Sequence, residues 1–286
     1  MIALLQKALT DLIDEVSRQV VLPSKVPVFM ALPEFRPGFS EPDFDAVKSS
    51  LANTLVDQVQ AELLSAMASG HAGALLAIGE AASCVASKRF PLVIAGGVDS
   101  YLDSDSIAWL DSEAKLAHSD ARSGFAPGEA VSLLAIADPE FCIRMGIKPL
   151  ATVGASAKAF EERQAASDTG LMGEALGSLV AEVTAHVSSS GNCITDIYSD
   201  INGEVSRNHD WAFALLRNST CFRDGADYVT VAGECGELGA ATGAVCASLA
   251  IDTWHSRCSH GNFALVWCGS WSGLRGGLVL DFEVSR

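Results

Sequence analysis

Positive charge is what this chain has least of. Its 286 residues carry 19 Lys and Arg against 35 Asp and Glu, a net charge of −16. Such a balance repels polyanions, so nucleic acid and anionic membrane surfaces are not expected partners. Long hydrophobic runs are missing as well. Apolar residues make up 49% of the chain, yet no charge-free run is long enough to cross a bilayer. The opening Met1-Ile2-Ala3-Leu4-Leu5-Gln6-Lys7 is not a secretory leader, because Asp11, Asp14 and Glu15 follow too soon and apolar residues recur at helical spacing. A cytoplasmic protein is the expectation. The eight cysteines (84, 142, 193, 221, 235, 246, 258 and 268) include no C-x-x-C pair and no histidine at zinc-finger spacing. No metal site is therefore expected, and the cysteines read as buried reduced thiols.

What is present is an alternation of helical and strand patterns. Leu5, Leu9, Leu12, Ile13 and Val16 predict a helix over 2–20, and Val26–Leu32 reads as a buried strand ended by Pro33 and Pro37-Gly38. A helix is expected over 41–56, a short apolar segment over 61–68, and a small-residue helix over 72–87. Apolar runs without alternation at 90–97 and 130–137 predict strands covered on both faces, with a further strand at 149–154. The second half repeats the grammar: helix 171–187, strand 194–199, helix 209–217, strand 228–232, small-residue helix 239–257, and strands 262–268 and 276–284. An offset of 173 residues pairs Gly70 with Gly243, Leu76 with Leu249, Phe90 with Phe263 and Gly96 with Gly269, which points to duplication. The halves are placed at 1–147 and 148–286.

Several short motifs fall in one order along the chain. They are Gly70-His71-Ala72-Gly73 opening a small-residue helix, Ala95-Gly96-Gly97, and Arg122-Ser123-Gly124-Phe125-Ala126-Pro127-Gly128-Glu129. Tyr198 to Glu204 and Gly236-Glu237-Leu238-Gly239-Ala240-Ala241-Thr242-Gly243 complete the series. In order and spacing they resemble the β-ketoacyl-ACP synthases of the thiolase superfamily. The resemblance implies an α/β thiolase-like fold of two similar halves with helix-covered mixed sheets, no cofactor, and Phe125 as a pocket gate. One piece is not found: the family opens with a strand and helix upstream of the first pair here, so the first strand–helix unit is expected to be missing, either lost or left upstream in a longer gene product.

The resemblance also implies where chemistry would sit. The family works through a cysteine and two histidines, and those positions read His71, Asn202 and Glu237. A histidine at a helix N-terminus cannot form the cysteine's thioester. The helix dipole disfavours its cation, leaving either a neutral general base or a degenerate residue bonded to nearby backbone. Asn202 can donate to an oxyanion but cannot shuttle a proton. Glu237 is either catalytic or an acidic residue favourable to its helix terminus. Gly73 lies in a small-residue slot beside the nucleophile position. Cys235 reads as a buried structural thiol or a displaced nucleophile, and Trp271 and Arg275 either fill the pocket or belong to an ordinary loop.

Two functions follow. The first is a pseudoenzyme or partner subunit, pairing with itself or with an active condensing-enzyme paralogue and contacting acyl-ACP or acyl-CoA. The second is an enzyme with altered chemistry, hydrolysing or transferring an acyl group with His71, Asn202 and Glu237. Pairing is expected through the strand at 90–97, and an unpaired sheet edge left by the missing strand would favour it. Arg207, Arg217 and Arg223 are the candidates for a local basic patch that an acidic carrier protein would need.

Overall fold

The computed structural model describes residues 1–56, 59–118, 123–162 and 173–282. Arg122 of the third motif, residues 171–172 and residues 283–284 lie outside them. The first half runs α1 (Ile2–Ser17), β1 (Lys25–Leu32), α2 (Glu41–Ala52), β2 (Leu55–Val56), β3 (Val59–Ala68), α3 (Gly73–Ala86), β4 (Leu92–Ser100), α4 (Ser104–Ser112), β5 (Glu129–Ala137) and α5 (Pro139–Met145). The second runs β6 (Thr152–Phe160), α6 (Glu174–Ser189), β7 (Asp196–Ser199), α7 (Val205–Asn218), β8 (Val229–Thr230), α8 (Ala232–Cys235), α9 (Thr242–His255), β9 (Phe263–Gly269) and β10 (Leu274–Asp281). The strands form two five-stranded mixed sheets, ordered β2-β3-β1-β4-β5 and β6-β10-β9-β7-β8.

Burial explains the apolar runs. In β1, Val26, Val28, Met30 and Leu32 pack outward against Leu5, Leu9 and Ile13 of α1 and Val47 and Leu51 of α2. Phe29 and Ala31 face inward, onto α3 and α9. The second sheet mirrors this, with Leu265, Trp267 and Val279 meeting Leu179, Val183 and Trp211 on the outer side. Ala264, Val266 and Cys268 meet the two small-residue helices on the inner side. The result is five layers, helices–sheet–helices–sheet–helices, with α3 and α9 in the middle. A strand covered on both faces has no polar face to show. Small residues let the central layer close: a Cβ at Gly97 would lie 2.0 Å from the carbonyl oxygen of Ala240, and one at Gly243 2.7 Å from Leu75.

The internal repeat is real in architecture but not at the 173-residue offset over this helix. A 3-10 turn at Gly70–Ala72 leads into α3, and one at Gly239–Ala241 leads into α9. Gly70 therefore corresponds to Gly239 in position, not to Gly243. Likewise α1 stands where α6 stands, ahead of the first parallel strand of its sheet. The piece without a counterpart among the described residues is the strand β6, and the helix that follows it is present.

Three further expectations change. The strand containing 90–97 is central, paired with β1 on one side and β5 on the other, so it has no edge with which to join a partner. The segment at 61–68 is a ten-residue strand parallel to β1, and its outer edge is met only at Val59 and Gln60 by β2. The cysteines are not uniformly buried: Cys142, Cys246 and Cys268 are, whereas Cys235 and Cys258 are exposed. No helix among the described residues is long and apolar enough to cross a membrane.

Candidate functional site

The two 3-10 turns meet at the centre of the fold, and Gly70 (φ +58°) and Gly239 (φ +50°) take the left-handed conformation that starts each. This brings His71, Asn202 and Glu237 together. His71 Nε2 stands 2.9 Å from Glu237 Oε1, with both side chains almost wholly buried. The contact is close without being well directed as a hydrogen bond, and Nδ1 has no partner among the described residues. Glu237 Oε1 also accepts from the backbone N–H of Gly239 at 3.0 Å, so it caps the turn into α9 as its position suggested. Glu237 Oε2 accepts from the Asn202 amide. Asn202 Oδ1 in turn accepts from the Glu204 N–H at 3.0 Å.

Burial and charge act against each other on this pair. Burial alone would lower the pKa of His71, but the Glu237 carboxylate more than offsets it and the pKa is raised. Burial likewise works to raise Glu237, and the imidazolium beside it prevails, holding the carboxyl down to about 2. The helix-terminus argument for a neutral imidazole did not include this carboxylate, which works in the opposite direction. The backbone-bonded alternative is also wrong, since the partner is a side chain.

A second group of ions, unread in the sequence, extends the network. Arg207, taken above for a surface residue, is buried against Asp200 and Glu204, with Nε 2.9 Å from Glu204 Oε2. Its Nη1 also donates to the Gly269 carbonyl at 2.7 Å, and Asp200 accepts from the Gly269 N–H at 2.7 Å. Lys115 Nζ reaches Glu204 Oε1 at 2.6 Å. Burial opposes ionisation of Glu204, yet Arg207 and Lys115 pull its pKa well below the ordinary range. Three cations (His71, Arg207, Lys115) thus face three carboxylates (Glu237, Asp200, Glu204). With Arg207 committed there, it does not contribute to a basic patch.

Trp271 closes the top. Its ring centroid lies 5.5 Å from that of His71, 5.2 Å from Trp109, 6.2 Å from Tyr101 and 6.4 Å from Phe125. Lys115 Nζ sits 4.7 Å from the Trp271 ring, a cation–π distance. Glu34 anchors the loop by accepting from the backbone N–H groups of Trp271 (3.1 Å) and Ser272 (2.9 Å). The Phe125 side chain is buried in this aromatic group. Arg275, the other bulky loop residue, points elsewhere, onto Asp210 at 2.6 Å. Gly73 is tight instead of open, since a Cβ there would lie 2.3 Å from Ser69 Oγ. Cys235 is exposed, which removes the buried-thiol reading, and no contact ties it to His71.

A backbone donor beside His71 is occupied too. The Ala72 N–H, next after His71, donates to Ser270 Oγ at 2.9 Å, and that hydroxyl donates to the Ser69 carbonyl at 2.6 Å. An oxyanion would need such an amide free. A surface cleft of about 450 Å³ does exist in the second half, lined by Asn192, Cys193, Thr195 and Thr220, and it holds none of these residues.

No family model matches this chain, and no curated protein does. Solved structures do. The ketosynthase from module 6 of the bacillaene synthase of Bacillus subtilis 168 superposes with a TM-score of 0.72 at 14% identity, over 93% of this chain and 55% of that one. AntDE:AntF, a type II polyketide synthase acyl-carrier protein in complex with its ketosynthase bound to the hexaketide, gives 0.70 at 14%, over 91% and 79%. The oxazolomycin ketosynthase domain OzmH KS8 of Streptomyces albus JA3453 gives 0.64 at 16%, over 90% and 72%. The chain spans about half the length of the bacillaene ketosynthase. Identities this low speak for the fold alone, and the fold is the thiolase-like one of the ketosynthases.

Proposed function

We propose that this protein is a ketosynthase-like pseudoenzyme that acts as a partner subunit. One observation carries the reading: His71, Asn202 and Glu237, which the motif resemblance assigns to the family's catalytic positions, are spent on one another. His71 and Glu237 form a buried ion pair, Asn202 donates to Glu237, and Trp271 covers them. A catalytic base must trade its proton with substrate or solvent, whereas His71 is buried away from solvent and Glu237 raises its pKa. The Ala72 N–H, bound to Ser270, lends no support to the altered-chemistry alternative. An acyl carrier protein fits this reading as something bound and not turned over; the AntDE:AntF neighbour, by its name, is a ketosynthase held with its carrier protein.

The edge of β3 suits the pairing. Leu63, Leu64, Ala66 and Met67 are half-buried along it, and most of its outer main chain is unpaired in the single chain. Light scattering on the purified protein at micromolar concentration is expected to give the mass of two copies. The mass of one copy would contradict the reading.

A further inference from the structure

The two central helices begin at the buried site, so their last residues lie about 20 Å from it. There the ends of α3 and α9 meet α5 and the segment after it. Lys88, just past α3, reaches Asp138 at 2.6 Å and Glu140 at 3.2 Å, at the start of α5. The Asp138 N–H donates to the Pro91 carbonyl at 2.9 Å. Beyond α5, the Leu150 carbonyl stands 3.2 Å from Nε2 of His255, the last residue of α9.

The charge gathered there differs from the rest of the chain. Arg89, Arg144, Lys148 and Arg257 are exposed, and none has a carboxylate at ion-pair distance among the described residues. The exposed cations on α1, β1 and α2 behave otherwise: Lys7, Arg18, Lys25 and Lys48 each lie within 3.9 Å of a carboxylate. No acidic residue occurs from Phe141 to Phe160. Cations near helix C-termini complement the macrodipole, which by itself would account for all four. It does not account for the apolar side chains among them. Ile143 is 79% exposed, Leu150 58% and Met145 43%. Apolar groups rimmed by charge at a surface mark a place where something binds.

We infer that this end of the molecule is a docking surface for an acidic polypeptide segment that carries apolar side chains. Charge complementarity selects the occupant. Screening in physiological salt acts over about 8 Å, so a narrow segment meets the four cations and little of the charge beyond them. A membrane or a nucleic-acid duplex is broad, and it meets the net charge of −16 as well. A second copy would have to offer an acidic face from elsewhere on its surface, a head-to-tail contact that does not close at two copies. Neither the His71 site nor the β3 edge takes part, so the surface stands or falls independently of the partner-subunit reading.

Fluorescence anisotropy on the full chain tests this, with a labelled synthetic peptide of repeated Glu-Leu-Asp-Glu as the probe. Arg144→Glu/Lys148→Glu is expected to weaken binding about tenfold. Lys7→Glu/Lys48→Glu changes the net charge equally on α1 and α2, and should leave the affinity within about twofold of wild type. Serine in place of leucine in the peptide should also weaken it about tenfold. In the wild type, the peptide should slow hydrogen exchange over residues 141–150, a readout that needs no variant. Four results would overturn the proposal. The first is no binding up to about 1 mM peptide. The second is equal loss in the two double variants, which would make net charge the only cause. The third is binding to phosphatidylserine vesicles that Arg144→Glu/Lys148→Glu abolishes while the peptide stays unbound, which would make the surface a lipid site. The last is self-association abolished by the same variant, which would make a second copy the occupant.

Discussion

Replacing Glu237 by glutamine will destabilise the protein by about 3 kcal/mol, although the two side chains have nearly the same shape. Glutamine keeps an acceptor for the Gly239 N–H, so what is lost is the charge facing His71. Breaking a buried pair from one side costs about 3–5 kcal/mol, and the low end applies because an imidazole can shed its proton. The pH dependence distinguishes this from a packing defect. His71 has a raised pKa in the fold, so its share of the stability is complete below the ordinary histidine value of 6.5 and fades as pH climbs toward the raised one. Glu237 is lowered to about 2, so its share is complete above the ordinary 4.5 and fades as pH falls toward 2. The gap between wild type and Glu237→Gln is therefore widest between pH 4.5 and 6.5 and narrows above it. Urea melts at pH 5.5 and pH 9 measure this, and a gap equal at both would refute the ion pair.

Trp271→Ala should cost about as much by a different route. Removing a large aromatic from a packed site costs about 3–5 kcal/mol, and Trp271 is half-buried, so about 3 is expected. The variant loses edge-to-face contacts with His71, Trp109 and Tyr101 and the cation–π contact of Lys115. It also uncovers His71. Carbethoxylation by diethyl pyrocarbonate, followed by peptide mass mapping, should leave His71 unmodified in the wild type and modify it in Trp271→Ala. A wild-type His71 that reacts readily would mean the indole is no lid.

The sequence carried the fold through burial. Runs such as Val26–Leu32 and Phe263–Cys268 are unbroken because helices cover both faces of those strands, and that is visible without coordinates. Signals at α4 and α5 were present and unread: Asp103 caps two N–H groups of α4, and Asp138-Pro139 with Gly146 frames α5. The alternation in β6 between half-buried Val153, Ala155, Ala157 and Ala159 and exposed Gly154, Ser156, Lys158 and Phe160 was likewise readable as a longer strand. β4 is legible as a strand but not as a central one, because a strand's rank in a sheet is a property of topology and not of its own residues.

The site was legible in its positions and illegible in its bonding. That His71, Asn202 and Glu237 converge followed from motif order, but the sign of the charge on His71 depended on a carboxylate far along the chain. Arg207 looked like a surface cation because its partners are set by folding: Glu204 lies one turn before it, Asp200 directly follows β7, and Gly269 closes the third side. Trp271 gave no sign of direction, since a tryptophan in a glycine-rich loop points inward only where Glu34 holds the loop main chain.

The proposed pseudoenzyme reading requires that this thiolase-like site perform no acyl chemistry. The most direct measurement is release of free thiol from a panel of acyl-CoAs and acyl-ACPs, with the wild type and His71→Ala assayed side by side. The account predicts background release from both. Release by the wild type that disappears in His71→Ala would contradict it and establish a working catalytic site.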